Sequence, residues 1–192
     1  MLKGDKRDRI LDAATRVFAK RGFFAAQVAD VAKRAGVAAG TVYLYFKSKD
    51  DILTCLFERT MTAAIAEART ATGVPSHPLD RLRRIAHLHL ARLGSDRNLA
   101  IVFQIELRQS SKFMTRLSTS SLRDYLGLLR EVIIDGQARG HFRADINPTL
   151  AAKVIFGALD EMATNWILSE RDYTLEDDAE AVMDLLVGGL KT

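Results

Sequence analysis

The residues with the most distinctive chemistry lie close together near the start of the chain. Thr41 and Tyr43 carry hydroxyl groups that exchange hydrogen bonds with base edges or phosphates, and Tyr45 adds an aromatic edge. Just before them, Ala39 and Gly40 are small enough for the backbone to approach a phosphate closely. This combination predicts recognition of a nucleic acid.

The charge distribution also favours an anionic partner for this region. Residues 1–50 contain 11 Lys/Arg and 5 Asp/Glu, whereas residues 51–192 contain 17 and 19, within a net charge of +4. A basic first quarter on a slightly acidic remainder is typical of a head that binds a polyanion. Because many basic surfaces are only solvated, this argument needs a matching fold.

The spacing of apolar residues in this region predicts such a fold. Ile10, Ala14 and Val17 recur at helical intervals, and Gly22 ends the helix that they define. Gly36 provides the left-handed turn that joins two short helices. Such a pair is the helix-turn-helix pattern, whose second helix reads the major groove; here it covers 38–46.

The whole chain is predicted to be all-α with about nine helices, because helical spacing continues to the end and no strand-like alternation is seen. We expect a DNA-binding domain at 1–48 and a ligand-binding and dimerisation domain at 49–192. Ser48 is the predicted N-cap of the fourth helix. The predicted helices cover about 5–20, 27–34, 39–46, 49–72, 78–93, 98–110, 112–138, 148–169 and 175–190.

Composition argues against several other classes of protein. One cysteine, Cys55, among 192 residues excludes an internal disulfide framework. The sequence shows no signal peptide and no apolar run of about 18 residues, so we expect a cytoplasmic protein without a membrane segment. His87 and His89 point to different sides of a helix, and Asp160 and Glu161 lack an accompanying nucleophile. We therefore expect no metal site, no cofactor and no enzyme activity.

The segment from Val28 to Lys49, VADVAKRAGVAAGTVYLYFKSK, resembles the DNA-binding signature of TetR-family repressors. The resemblance covers roughly residues 8–55 and implies a dimer on a near-palindromic operator. The family usually has threonine at the position of Gln27 and serine at that of Ala38, and a lost N-cap costs about 1 kcal/mol. By this resemblance the residues facing DNA are Ala39, Gly40, Thr41, Tyr43, Leu44 and Tyr45, with Lys49 on a phosphate.

Two further stretches, 98–110 and 155–161, are similar to the FadR-type members of this family. That resemblance implies a repressor of fatty-acid degradation genes that is released by long-chain acyl-coenzyme A. An acyl chain needs an apolar tunnel, and Arg108 is the first choice for its anionic nucleotide end. Apolar residues at helical spacing are also typical of ordinary core, so that alternative stays open. The candidate ligand residues are Phe103, Gln104, Leu107, Arg108, Leu126, Leu129, Met162 and Trp166.

The last two helices, about 148–169 and 175–190, are predicted to form a four-helix interface with a second subunit. Their close-approach face includes Val182, Leu185, Leu186, Gly188 and Gly189. Two alternatives for the function remain. One is a repressor of an efflux gene that responds to an aromatic or drug-like compound. The other is a helical lipid-binding module that does not bind DNA.

Overall fold

A computed structural model describes residues 3–73, 76–109, 115 and 121–190. Within these ranges it contains nine α-helices and no β-strand, which confirms the all-α prediction. No described helix combines the length and the apolarity needed to cross a membrane. The α-helices are α1 (Lys3–Arg21), α2 (Val28–Ala35), α3 (Ala39–Tyr43), α4 (Lys49–Thr72), α5 (Pro78–Gly94), α6 (Arg97–Ile101), α7 (Ser121–Ala138), α8 (Pro148–Leu168) and α9 (Ala179–Gly188).

The chain divides into two compact units. The head unit holds the described residues up to Thr60 together with those of 98–117, and the body unit holds those of 61–97 and 118–192. The domain boundary predicted at 48/49 does not coincide with this division. Helix α4 contributes its first half to the head unit, and the segment that follows α5 also packs there.

The head unit is built around helix α1, whose apolar face is buried as its spacing predicts. Ile10, Leu11, Ala14 and Phe18 are inaccessible to solvent. Gly36 has a φ of +67°, and its N–H and that of the next residue bond back to α2 carbonyls, so the turn between α2 and α3 is a left-handed cap. The predicted helix-turn-helix is therefore present.

Helix α3 is shorter than predicted. It ends at Tyr43, and the residues up to Phe46 form a turn. The N–H groups of Leu44 and Tyr45 donate to the carbonyls three residues earlier, a pattern that tightens the last turn of a helix. Ser48 caps α4 as predicted, because its Oγ accepts the N–H of Asp51 at 3.1 Å.

The segment 98–110 was predicted as one regular helix, and this was wrong. Helix α6 gives way to a π-helical turn at Val102–Glu106 and then to a 3-10 turn at Leu107–Gln109. The Leu107 N–H donates to the Val102 carbonyl five residues back, which inserts one extra residue into the turn. Ser110 lies outside the described residues.

The body unit consists mainly of the second half of α4 and helices α5, α7, α8 and α9. Its core includes the fully buried Leu82, Ile85, Leu129 and Leu159. The helix predicted at 112–138 is seen as α7, and most of its first nine residues lie outside the described part of the chain. The helix predicted at 175–190 begins as a 3-10 turn, Leu175–Asp178, before α9.

Candidate functional site

Helix α3 and the turn after it present the side chains predicted to face DNA. Tyr43 is 58% exposed and Leu44 80%. Ala39 and Gly40 are also exposed, and a methyl group placed on Gly40 would meet no atom within 4 Å. The other two candidates, Thr41 and Tyr45, are half-buried, while Val42 and Phe46 are buried in the core. The structure brings these six residues onto one short element, and their contact with DNA stays a prediction.

The two positions that lack the family's usual N-cap residues differ in their local structure. At the start of α2, the backbone N–H of Gln27 donates to Asp30 Oδ2 at 3.2 Å. The same carboxylate forms an ion pair with Arg21 at 2.9 Å, so Asp30 fixes this helix start. At the start of α3, Ala38 has no side-chain acceptor to cap the helix. Its backbone carbonyl accepts the N–H of Thr41 at 2.9 Å.

Lys49, which is predicted to contact a phosphate, makes three hydrogen bonds within the protein, and its contact with DNA stays a prediction. Its Nζ donates to the backbone carbonyls of Phe23, Phe24 and Ala26 at 2.6, 3.0 and 2.8 Å. The ammonium also lies 4.7 Å from the ring centre of Phe23. An ammonium has three N–H donors, and all three are used here. Lys49 therefore ties the start of α4 to the loop between α1 and α2.

An open groove of about 840 Å³ runs between α1 and α2 and is mainly basic. Arg9 donates to the carbonyl of Ala35, the last residue of α2, at 2.6 Å. Its positive charge is also stabilised there by the negative end of the helix dipole. Lys33 and Arg34 are exposed. This groove gives a structural basis to the charge asymmetry of the sequence. Its charged lining consists of Arg9, Asp12, Arg16, Lys20, Arg21, Asp30, Lys33 and Arg34.

Glu106 connects the 98–109 segment to the loop after α1. It is only 7% exposed, and its Oε2 accepts the backbone N–H of Phe23 at 2.6 Å. The positive φ of Gly22, +78°, turns the chain so that this N–H meets the carboxylate. Glu106 and Phe23 are 83 positions apart, so the sequence pattern does not indicate this contact.

Four of the eight candidate ligand residues lie in the head unit. Phe103 is half-buried and stacks on Phe57, with ring centres 5.2 Å apart. Gln104 and Leu107 are buried, whereas Arg108 is exposed. The apolar members are therefore on the inner side of the segment, and the predicted cationic end is at the surface.

The other four candidates lie in the body unit. Leu129 is fully buried, and Leu126 and Met162 are half-buried. The Trp166 indole N–H donates to the carbonyl of Tyr173 at 2.9 Å, and the Arg97 guanidinium lies 5.0 Å from its ring centre. These contacts fix the end of α8 and the loop that follows it. The role of all eight residues in ligand binding stays a prediction.

The structure also reveals two histidine pairings that the sequence did not predict. His89 Nδ1 lies 3.1 Å from the hydroxyl oxygen of Tyr125 inside the body unit. At its surface, His77 Nε2 lies 3.2 Å from His141 Nδ1. Each pair combines residues far apart in sequence, so spacing gave no signal for either. Across the described ranges, no three His, Cys, Asp or Glu side chains converge as metal ligands would.

The helix-turn-helix, its exposed α3 face and the basic groove beside it define a DNA-binding protein with a helical body. Comparison with family models specifies the class further. Residues 10–54 match the model for bacterial regulatory proteins of the TetR family, and residues 57–189 match that for the C-terminal region of YsiA-like proteins. This chain belongs to the TetR family of transcriptional regulators.

Individual relatives agree with that assignment. The fatty acid metabolism regulator protein of Bacillus subtilis is 37% identical over 98% of this chain and 97% of its own length. The crystal structure of the regulator FadR from B. subtilis in complex with stearoyl-CoA has a TM-score of 0.90, with 37% identity over 95% of this chain and 98% of that one. The fatty acid degradation regulator FadR from Bacillus halodurans also has a TM-score of 0.90, with 38% identity over 96% and 99%.

Proposed function

We propose that this protein is a dimeric repressor of fatty-acid degradation genes that leaves its operator when a long-chain acyl-coenzyme A binds. The observation that carries the proposal is the position of the 98–109 segment. This segment contains four candidate ligand residues, and it packs in the same compact unit as the helix-turn-helix. The similarity to a FadR whose structure contains stearoyl-CoA supports the choice of effector.

The route from ligand to DNA runs through the loop between α1 and α2. Glu106 holds the Phe23 N–H, and Lys49 holds three carbonyls of the same loop. An effector that displaces the 102–109 turns pulls Glu106 away from Phe23 and leaves a buried N–H without its acceptor. The loop then moves together with the helices on either side of it, α1 and α2. A coupling free energy of about 1–3 kcal/mol is sufficient for a useful switch.

Dimerisation is supported by the exposed apolar side chains of α8 and α9. Leu150, Val154 and Leu168 on α8 are 59%, 51% and 69% exposed, and Leu185 on α9 is 81% exposed. The α8 residues recur at helical spacing, so they share one face of that helix. In a two-fold dimer of a helix-turn-helix protein, the two recognition helices read successive major grooves about 34 Å apart.

The test is fluorescence anisotropy on a labelled duplex from the region upstream of the gene that encodes this chain. The protein is titrated at fixed salt without ligand and with oleoyl-coenzyme A, and free coenzyme A and free oleate are the controls. We expect release by the thioester alone. Tight binding that oleoyl-coenzyme A leaves unchanged would exclude the proposed effector and keep DNA binding. Absent binding to the duplex would exclude the proposed repressor.

A further inference from the structure

A polar group with an unused donor lies inside the body unit, on the inner side of α5. The Nε2 atom of His89 is buried and has no hydrogen-bond partner, one of few such side-chain atoms in the described ranges. Aromatic rings surround the imidazole. The Tyr125 ring is centred 5.7 Å away and the Phe156 ring 5.8 Å away, the latter edge to face. A buried polar atom without a partner is costly unless something else in the functional state satisfies it.

The contact with Tyr125 determines which hydrogen-bonding role remains at Nε2. Burial lowers the pKa of His89 to about 4, so the ring is neutral at physiological pH and carries one N–H. A phenol is a better donor than a neutral imidazole N–H, and imidazole nitrogen is a better acceptor than phenol oxygen. The Tyr125 hydroxyl therefore donates to Nδ1, and the proton of the ring is on Nε2. The site offers a single N–H donor in aromatic surroundings.

Such a site selects an uncharged acceptor. Among the described residues, the cation whose charge reaches Tyr125 is Arg92, which is already paired with Glu67, so a carboxylate would bring an uncompensated negative charge into this buried site. An ester, thioester or amide carbonyl has the required chemistry. In an acyl-coenzyme A the thioester carbonyl is the one acceptor at the end of the apolar chain.

We propose that His89 Nε2–H donates to the thioester carbonyl of the bound acyl-coenzyme A, with Tyr125 holding the imidazole in the donor tautomer. This inference rests on the proposed function, since it places one atom of the proposed effector. It makes His89 a sensor of the thioester itself, so that a fatty acid or a thioether of the same chain length is bound less well.

The test compares two ligands that differ in a single group, the carbonyl next to sulfur. Oleoyl-coenzyme A has the carbonyl, and S-oleyl-coenzyme A, a thioether, has a methylene in its place. Dissociation constants for both are measured by isothermal titration calorimetry with wild-type protein, His89→Phe and the control His87→Phe, which alters an exposed histidine on the same helix. We expect wild type and His87→Phe to prefer the thioester by about tenfold and His89→Phe to bind both probes equally.

A preference that survives in His89→Phe, or equal binding of both probes by wild type, overturns the inference and leaves the proposed function intact. Failure of wild type to bind either probe overturns both. If His89→Phe does not fold, nitrogen-15 spectra of the wild-type imidazoles decide the matter. The His89 Nε2 resonance must then shift with oleoyl-coenzyme A and stay in place with the thioether; any other pattern contradicts the assignment.

Discussion

Glu106 and Lys49 hold opposite ends of one residue in the head unit. The Glu106 carboxylate accepts the N–H of Phe23 at 2.6 Å, and the Lys49 ammonium donates to the carbonyl of Phe23 at 2.6 Å. One side chain comes from the 98–109 segment and the other from the start of α4. The backbone of Phe23 therefore links the 98–109 segment to the start of α4, and movement of either element changes a hydrogen bond to this residue.

Glu106→Ala is expected to lower the free energy of unfolding by about 1–3 kcal/mol, because it leaves the buried Phe23 N–H without its acceptor. Glu106→Gln keeps an acceptor oxygen and should cost less. Urea denaturation followed by circular dichroism measures both. The control is Glu58→Ala, which alters an exposed glutamate on α4 and should change stability by less than about 0.5 kcal/mol. Equal stabilities of Glu106→Ala and wild type would contradict a role for this contact.

Lys49→Met is expected to reduce stability by about 2 kcal/mol, because three carbonyls lose a charged donor. The slope of log affinity for DNA against log salt should stay unchanged. Lys47→Met is the matched variant, since Lys47 is exposed and lies two residues earlier in the chain. Its stability should be unchanged, and any phosphate contact that it makes would reduce the slope by about 0.9. A reduced slope in Lys49→Met would restore the phosphate contact to Lys49.

Tyr43→Ala is expected to weaken binding to the operator by about tenfold to a hundredfold, the effect of losing one specific base contact. Because Tyr43 is 58% exposed, the melting temperature should remain nearly constant. Anisotropy titrations on the operator and on a scrambled duplex of equal length measure the effect. An equal loss on both duplexes would argue against base recognition by this side chain.

His89 is expected to make the free energy of unfolding depend on pH. Its pKa is about 4 in the folded chain and near 6.5 when unfolded, so between these values only the unfolded chain takes up the proton. The free energy of unfolding must then fall as the pH decreases, by about 2 kcal/mol between pH 7.5 and 5. Urea denaturation of wild type and His89→Gln at pH 7.5, 6 and 5 isolates this contribution, and the variant should show a smaller decrease. His87→Gln, at an exposed position, should behave as wild type does.

The dimer interface is tested by placing a charge on each exposed apolar face. Val154→Arg and Leu185→Arg are expected to shift the protein from dimer to monomer in sedimentation equilibrium. Ile134→Arg on α7 serves as the control, because Ile134 is 42% exposed but lies outside the proposed interface. A monomeric wild type, or a dimer that persists in both variants, would show that this face is not the interface.

The helix-turn-helix could be predicted from the sequence because its signals are local. A glycine turn, capping at Ser48 and a helical apolar face each depend on neighbours within a few residues. The helical spacing of Ile10, Ala14 and Val17 correctly predicted the buried face of α1. Only the end of α3 was misplaced, since tightening of a last turn leaves no mark in the pattern.

The remainder of the site depends on contacts between distant residues. Glu106 and Phe23 are 83 positions apart, and His89 and Tyr125 are 36 apart, so no periodicity connects them. For Lys49, the resemblance to the family implied a phosphate contact and did not indicate its partners within the protein. The carbonyls that it binds belong to a loop more than 20 residues earlier. Partners of this kind are set by tertiary packing.

The π-helical turn at Val102–Glu106 fixes the rotational phase between the two ends of its segment. Each residue added to or removed from a helix turns everything that follows by about 100°. The π-helical turn already holds one extra residue, so one more residue inserted within it would rotate Glu106 away from the Phe23 N–H. The number of residues in these five positions therefore has an upper limit, and an insertion there would uncouple the segment from the DNA-binding helices without changing a single side chain that contacts DNA.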